Sequence, residues 1–160
     1  MAVVNKYGTG YKDPASLKQV EAVLAEATVR QINSLVSITT GDSTNSTHRI
    51  GSVPSNAIIA PDSRYDHEDT GLTQVDIGLA YPNGGAMIDA DCLVAGDDIS
   101  LAGSQTFAGH GTLTAANMNK RAWEIAGLAA DPGGNLDIVL TQKAGTAGTK
   151  KIHFAIRYSK

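Results

Sequence analysis

Two runs near the carboxyl end constrain this chain most. In Leu136, Ile138 and Leu140 the apolar residues alternate with Asp137, Val139 and Thr141. In Ile152, Phe154, Ile156 and Tyr158 they alternate with His153, Ala155 and Arg157. A period of two places successive side chains on opposite faces of a strand, so each run presents one apolar face to a core. The Gly-rich stretch from Lys143 to Thr149 joins the runs and predicts a β-hairpin with a long loop. An antiparallel sheet covering a core follows from that pattern.

Upstream segments repeat the theme. Ile32, Ser34, Val36 and Ile38 share one parity, against Asn33, Leu35 and Ser37. The polar cluster Gly41 to Ser46 reads as a turn. His48 to Val53 returns as a second strand, and Pro54 ends it or marks an edge. Ala57 to Ala60 is a short apolar run, and Arg64 to Gly71 reads as a polar loop. Val75, Ile77, Leu79 and Tyr81 form one face of a further strand, closed by the turn Pro82-Asn83-Gly84-Gly85. Residues 86–114 carry Gly96, Gly103, Gly109 and Gly111 and read as mostly irregular. Cys92 to Val94 and Ser104 to Phe107 are the candidates for short strands there.

Two helices are expected. Asp13-Pro14 is a start signal, since Asp caps free amides and Pro fits the first helical position. Leu17, Val20 and Leu24 then give an apolar stripe, predicting a helix over 14–26. Met118, Ala122, Ile125 and Ala129 predict a second helix over 115–128, with Trp123 anchoring it on the sheet. Lys120 and Glu124 would pair on its wet side, and Asp131-Pro132-Gly133-Gly134 would turn the chain after it. Residues 1–13 read as an arm bearing Tyr7 and Tyr11, either docked on a neighbouring subunit or a disordered terminus. The expected architecture is mainly β: an antiparallel β-sandwich or jelly-roll-like body over 28–160, with an N-terminal arm and short helix over 1–27.

Composition narrows the function classes. The 160 residues suit one domain, able to bury roughly 70% of its unfolded surface without disulfide or metal. Charged residues make up 18%, below the about 25% of ordinary soluble domains. A surface poor in charge suits a chain that lives in an assembly. Net charge is -3 and Lys150–Lys151 is the longest basic run, which argues against nucleic-acid binding. No stretch approaches the ~18 apolar residues of a membrane span. Met1 to Lys6 is too short and polar for a secretory signal, so no Sec-type export is expected. The sequon Asn45-Ser46-Thr47 is then read as a turn. Cys92, the single cysteine, is read as a small apolar residue rather than a nucleophile, since no His lies near it in sequence.

Chemistry-bearing residues form no known pattern. His48, His67, His110 and His153 do not pair at zinc-ligand spacing. Asp66-His67-Glu68-Asp69 is the densest polar cluster, but it lacks the spaced oxygens and central Gly of an EF-hand loop. Asp89, Asp91, Asp97 and Asp98 are irregularly spaced and are a weak candidate for calcium. No Gly-x-Ser-x-Gly elbow and no phosphate-binding Gly loop occurs. The expectation is no enzyme, no cofactor and no metal.

Several stretches taken together carry a resemblance. Met-Ala-Val-Val precedes Asn5-Lys6-Tyr7, and Gly41-Asp42-Ser43 leads to His48-Arg49-Ile50-Gly51-Ser52-Val53-Pro54-Ser55-Asn56-Ala57. Thr73 to Leu79 follows. The most specific block is Trp123-Glu124-Ile125-Ala126-Gly127-Leu128-Ala129-Ala130-Asp131-Pro132-Gly133-Gly134, leading into Leu136 to Thr141. From about residue 28 onward the chain resembles small virion structural proteins of tailed bacteriophages, some of which are capsid decoration or cement proteins. The resemblance implies a virion component and does not by itself fix head versus tail; the capsid surface is the expected location, for a chain made in the host cytoplasm. Its partners would be the major capsid protein and copies of itself, with a homotrimer as the expected order. Tyr7 and Tyr11 are the candidate interface residues. The alternative is a tail or fibre module binding a host-surface glycan or protein, for which one Trp, five Tyr and two Phe are few.

Overall fold

The computed structural model describes residues 5–7, 29–110, 112–145 and 148–160. Ten strands run in chain order: β1 (Asn5–Tyr7), β2 (Val29–Ile38), β3 (Thr47–Pro54), β4 (Ile58–Ile59), β5 (Arg64–His67), β6 (Gln74–Ala80), β7 (Met87–Asp97), β8 (Gly103–Thr106), β9 (Asn135–Ala144) and β10 (Lys150–Ser159). One helical turn, α1 (Ala122–Ile125), and a 3-10 turn at Phe107–His110 complete the described elements.

The strands form two sheets. One has the order β1-β3-β9-β6-β7, the other β2-β10-β5-β8, with β4 also on β10. Setting aside β1 and β4, the strands nest: β2 beside β10, β3 beside β9, β5 beside β8 and β6 beside β7. That is the strand order of a jelly roll. All these pairs are antiparallel, whereas β1 lies parallel to β3.

Both sheets feed one core. Ile50, Val53, Ile77, Leu79, Leu136, Ile138 and Leu140 come from the first sheet. Val36, Ile38, Tyr65, Ile152, Phe154 and Ile156 come from the second. Each large apolar side chain buried this way contributes about 1.5–3 kcal/mol. The alternation read from the sequence therefore chose the inward residues of β2, β6, β9 and β10, with Tyr81 as the correction: it follows β6 and is exposed.

The expected hairpin over 136–158 is corrected. β9 lies between β3 and β6, while β10 lies between β2 and β5, so the two strands sit in different sheets. β2 and β3 are likewise divided between the sheets. Both loops carry the chain from one sheet to the other. Nor is the outer side of β9 open to solvent: Asp137, Val139 and Thr141 are buried.

The loop expected over 64–71 contains a strand. Tyr65 and His67 point inward while Arg64 and Asp66 face out, and β5 pairs with both β10 and β8. Four charged residues in a short span hid this alternation. The stretch 86–114 is also more regular than expected. β7 is irregular in pairing rather than absent: it advances from Asp89 to Val94 while β6 moves only from Leu79 to Ile77. The extra β7 residues pass over Gly78, where a Cβ would stand 2.0 Å from the Asp89 carbonyl oxygen. Only a residue without a side chain allows that approach.

The expected helix over 115–128 shrinks to α1. Asn117 Oδ1 accepts from the Thr114 amide (2.7 Å), and Asn117 Nδ2 donates to the Thr112 carbonyl (2.5 Å). These local bonds compete with helix for the stretch before Lys120. The helix begins where segment 55–57 accepts its free amides: Ala122 N donates to the Ala57 carbonyl (2.7 Å) and Trp123 N to that of Ser55 (3.1 Å). It ends at Gly127, which has φ 72° and donates to Glu124, while Leu128 donates to Trp123. This paired closure is a Schellman motif. Glu124 caps the Arg121 amide (2.8 Å) instead of pairing with Lys120. Trp123 packs against the core, as expected.

The turns follow their residues. Asn83 and Gly84 have φ of 58° and 77°, and Gly85 N donates to the Pro82 carbonyl, matching the tight hairpin turn read from Pro82-Asn83-Gly84-Gly85. Asn45 of the sequon has φ 69° and lies in the turn before β3. The helix expected over 14–26 lies outside the described residues. Within the expected arm, Asn5–Tyr7 is a strand paired with β3.

Candidate functional site

The two residues singled out for an interface fare differently. Tyr7 ends β1 and its backbone stands opposite Arg49 of β3. Tyr11 lies outside the described residues.

The strand period dismantles the cluster Asp66-His67-Glu68-Asp69. Asp66 faces out toward Arg64 (3.7 Å) and His153 (3.6 Å), while His67 turns inward. A hydrogen bond from Ser104 first, then the charges and hydrogen bond of Arg64 and His153, hold the Asp66 carboxyl below its ordinary value. Glu68 Oε2 accepts from the Lys151 amide (2.8 Å), and Asp69 is paired with Lys150. These carboxylates serve the chain's own donors and do not converge.

The second acidic group also disperses. Asp89 Oδ1 accepts from the Asp91 amide (3.1 Å). Its hydrogen bond to the Asp91 carboxyl raises that group above the usual range, and burial and the charges of Asp89 and Asp76 add to the rise. Asp98 caps the Ser100 amide (2.9 Å). Asp97 is buried and turned to other partners. Among the described residues, no group of three His, Cys, Asp or Glu side chains is placed to hold a metal ion.

Asp97 belongs to a buried polar cluster that sequence reading missed. Tyr65 Oη donates to Asp97 Oδ2 (2.5 Å), and His110 Nδ1 stands 3.2 Å from Asp97 Oδ1. The Tyr65 ring stacks on Phe154 (centroids 5.7 Å apart) and has His67 and Phe107 on other sides (6.1 and 6.2 Å). Burial, then the hydrogen bond and charge of Asp97, push the Tyr65 hydroxyl far above its ordinary value. It remains a neutral donor. The cluster therefore ties β5 of one sheet to the end of β7 of the other. Tyr65 and Asp97 are too far apart in sequence for any local pattern to link them. The alternation of Tyr65 and His67 was the available signal.

A second buried tie holds the β6–β7 turn. Arg49 Nη1 donates to Asp137 Oδ2 (2.8 Å) and the Tyr81 carbonyl (3.1 Å), and Nη2 donates to the Gly85 carbonyl (2.7 Å). Both partners of the ion pair are buried. Cys92 is buried as well, and burial raises its thiol far above the usual value, which keeps it from acting as a thiolate. His153 stays on the outer face with its side chain 45% exposed, where the sequence placed it.

The surface offers contact features. Val29, Ile58, Pro61, Met118 and Tyr158 line a groove of about 230 Å³, with the Asp62–Arg157 ion pair on its rim. That volume is below the ~300–1,000 Å³ of small-molecule pockets and suits one or two inserted side chains. Among the described residues, Val29, Tyr81 and Leu101 are the large apolar side chains left exposed. Val29 and Tyr81 sit at the end where β10 stops and β6 stops, and Leu101 sits on the loop after β7 at the opposite end.

No family model matches the chain, and no curated protein matches it. Its fold is similar to that of a chain in the capsid of Ralstonia phage GP4, at TM-score 0.67 and 14% identity. The likeness covers 99% of this chain and 98% of that one, so it extends over the whole architecture.

Proposed function

We propose that this chain is a structural protein of a bacteriophage virion: a jelly-roll sandwich that decorates the head and stabilises its shell. The full-length likeness to a chain of a phage capsid carries this reading. The sequence resemblance to small virion proteins points the same way. So does the inward use of chemistry-bearing side chains: Tyr65, Asp97, Arg49 and Asp137 knit the fold. The partners are the major capsid protein and copies of this chain, arranged as a trimer on the outer capsid surface. Many equivalent weak contacts on one shell act together through avidity.

Quantifying the protein in purified virions tests this. A copy number comparable with that of the shell protein is expected. A number typical of tail fibres would favour a host-binding module instead, and absence from virions would overturn both. Deleting residues 1–13 should lower occupancy on capsids while leaving the folded body intact by circular dichroism.

A further inference from the structure

The strand β1 differs from every other pairing in its sheet. It contributes only Asn5, Lys6 and Tyr7, and it runs parallel to its neighbour while the rest of that sheet is antiparallel. It covers only the first part of β3, opposite Thr47, His48 and Arg49. Beyond it, residues 8–28 lead to β2.

The path that this connection must cover within one copy is short. β1 heads along β3 toward the end where Pro54 lies, roughly 17 Å past Arg49 at about 3.4 Å per residue. β2 starts at that same end, since Val29 pairs with Ser159 at the finish of β10. Residues 8–28 can span up to about 70 Å when extended. With the helix predicted over 14–26 in place, at ~1.5 Å per residue, the reach is still about 45 Å. A domain of this size is about 40 Å across. The link thus exceeds what its own copy requires and suffices to reach an adjoining one.

We propose that β1 is an exchanged strand: in the assembly, Asn5–Tyr7 pairs with β3 of a second copy of this chain. The inference rests on the proposed assembly role, because exchange needs neighbouring copies. A traded segment forms the same backbone bonds as one folded back, so no contact is lost by trading. Local concentration then decides the partner, and copies held side by side supply it. The ladder is only three residues long, so few backbone bonds need to open for the exchange.

Cysteine pairing distinguishes the two arrangements. Asn5 and Thr47 are direct neighbours across β1 and β3. Parallel neighbours lie about 4.8 Å apart, within the ~4.4–6.8 Å that a disulfide accepts. One copy carrying Asn5→Cys and another carrying Thr47→Cys are co-expressed, purified at high concentration and oxidised with diamide. Cys92 is buried and stays reduced in the native fold. The expected product is a covalent pair at twice the chain mass, containing one copy of each variant. The double variant Asn5→Cys/Thr47→Cys serves as the control for pairing itself. A cross-link confined to single chains of the double variant would overturn the exchange. No cross-link in either sample would overturn the β1–β3 pairing on which it depends. Virion content of the wild-type protein is measured separately, so failure of the proposed function shows there and not in the cross-link.

Discussion

Gly78 provides a steric test of the fold. A Cβ built there stands 2.0 Å from the Asp89 carbonyl oxygen and 2.4 Å from the Ala90 carbonyl carbon. Ordinary contacts of this kind need more than 3 Å, so Gly78→Ala must push the β7 backbone away by about 1 Å. Overpacking a core costs typically about 1–3 kcal/mol. Here the obstacle is backbone in a paired strand and no rotamer change relieves it, so about 3 kcal/mol or more is expected. For a chain of this length that is a fall in Tm of roughly 6–12 °C. Two other glycines calibrate the result. At Gly51 the Cβ would stand 2.8 Å from Ile32 Cγ2, a side chain able to shift, so Gly51→Ala should cost less. At Gly41 nothing lies within 4 Å, so Gly41→Ala should be neutral or gain a few tenths of a kcal/mol through the unfolded state. Urea denaturation of the three variants reads the series. Gly78→Ala within about 0.5 kcal/mol of wild type, or milder than Gly51→Ala, would refute the placement of β7 over Gly78.

Three further outcomes are expected. Asp137→Ala leaves the Arg49 guanidinium without its buried counter-charge and should cost about 3–5 kcal/mol; Arg49→Met/Asp137→Leu should lose less than the sum of its single variants, and additive losses would argue against the pair. Asp91 titrates above its unfolded value because of Asp89, so its contribution is favourable below the ordinary carboxylate range and is lost as pH rises through the raised value. Asp89→Asn should therefore stabilise at neutral pH, with the gain fading toward about pH 4, and a gain constant across pH by urea denaturation would contradict it. Asp131 is held low first by the Ser55 hydroxyl (2.5 Å) and then by the Gly133 amide, so its contribution is present above the unfolded carboxylate value and lost as pH falls through the folded one. Ser55→Ala should raise its titration midpoint by carboxyl NMR, and an unchanged midpoint would remove Ser55 as the cause.

Local pattern sufficed for much of the secondary structure. The period of two in Ile32–Ile38, Val75–Leu79, Leu136–Leu140 and Ile152–Ile156 marked both the strands and their core-facing residues, because alternation is a property of one strand's own geometry. The turn at Pro82–Gly85 was legible for the same reason: positive φ is a demand on individual residues, and Asn83 and Gly84 tolerate it. Where an element is set by partners distant in sequence, local reading failed. Asp66 and His67 looked like one polar cluster until pairing with β10 and β8 sent them to opposite faces. The apolar stripe around Met118 promised a long helix, yet Asn117 bonded into its loop and segment 55–57 received the amides of a single turn. For the tie between Tyr65 and Asp97, alternation marked Tyr65 as inward, but no local pattern could name a partner 32 positions away.

Sheet membership is the clearest division. The sequence by itself determined that β9 and β10 are strands and which of their side chains are apolar. Only the tertiary structure decided that they belong to different sheets, with β9 between β3 and β6 and β10 between β2 and β5. A strand's alternation specifies that one face must be buried but not which strand will bond its edges. Those bonds join backbone groups common to every residue, so the choice among edges falls to the packing of all the faces at once.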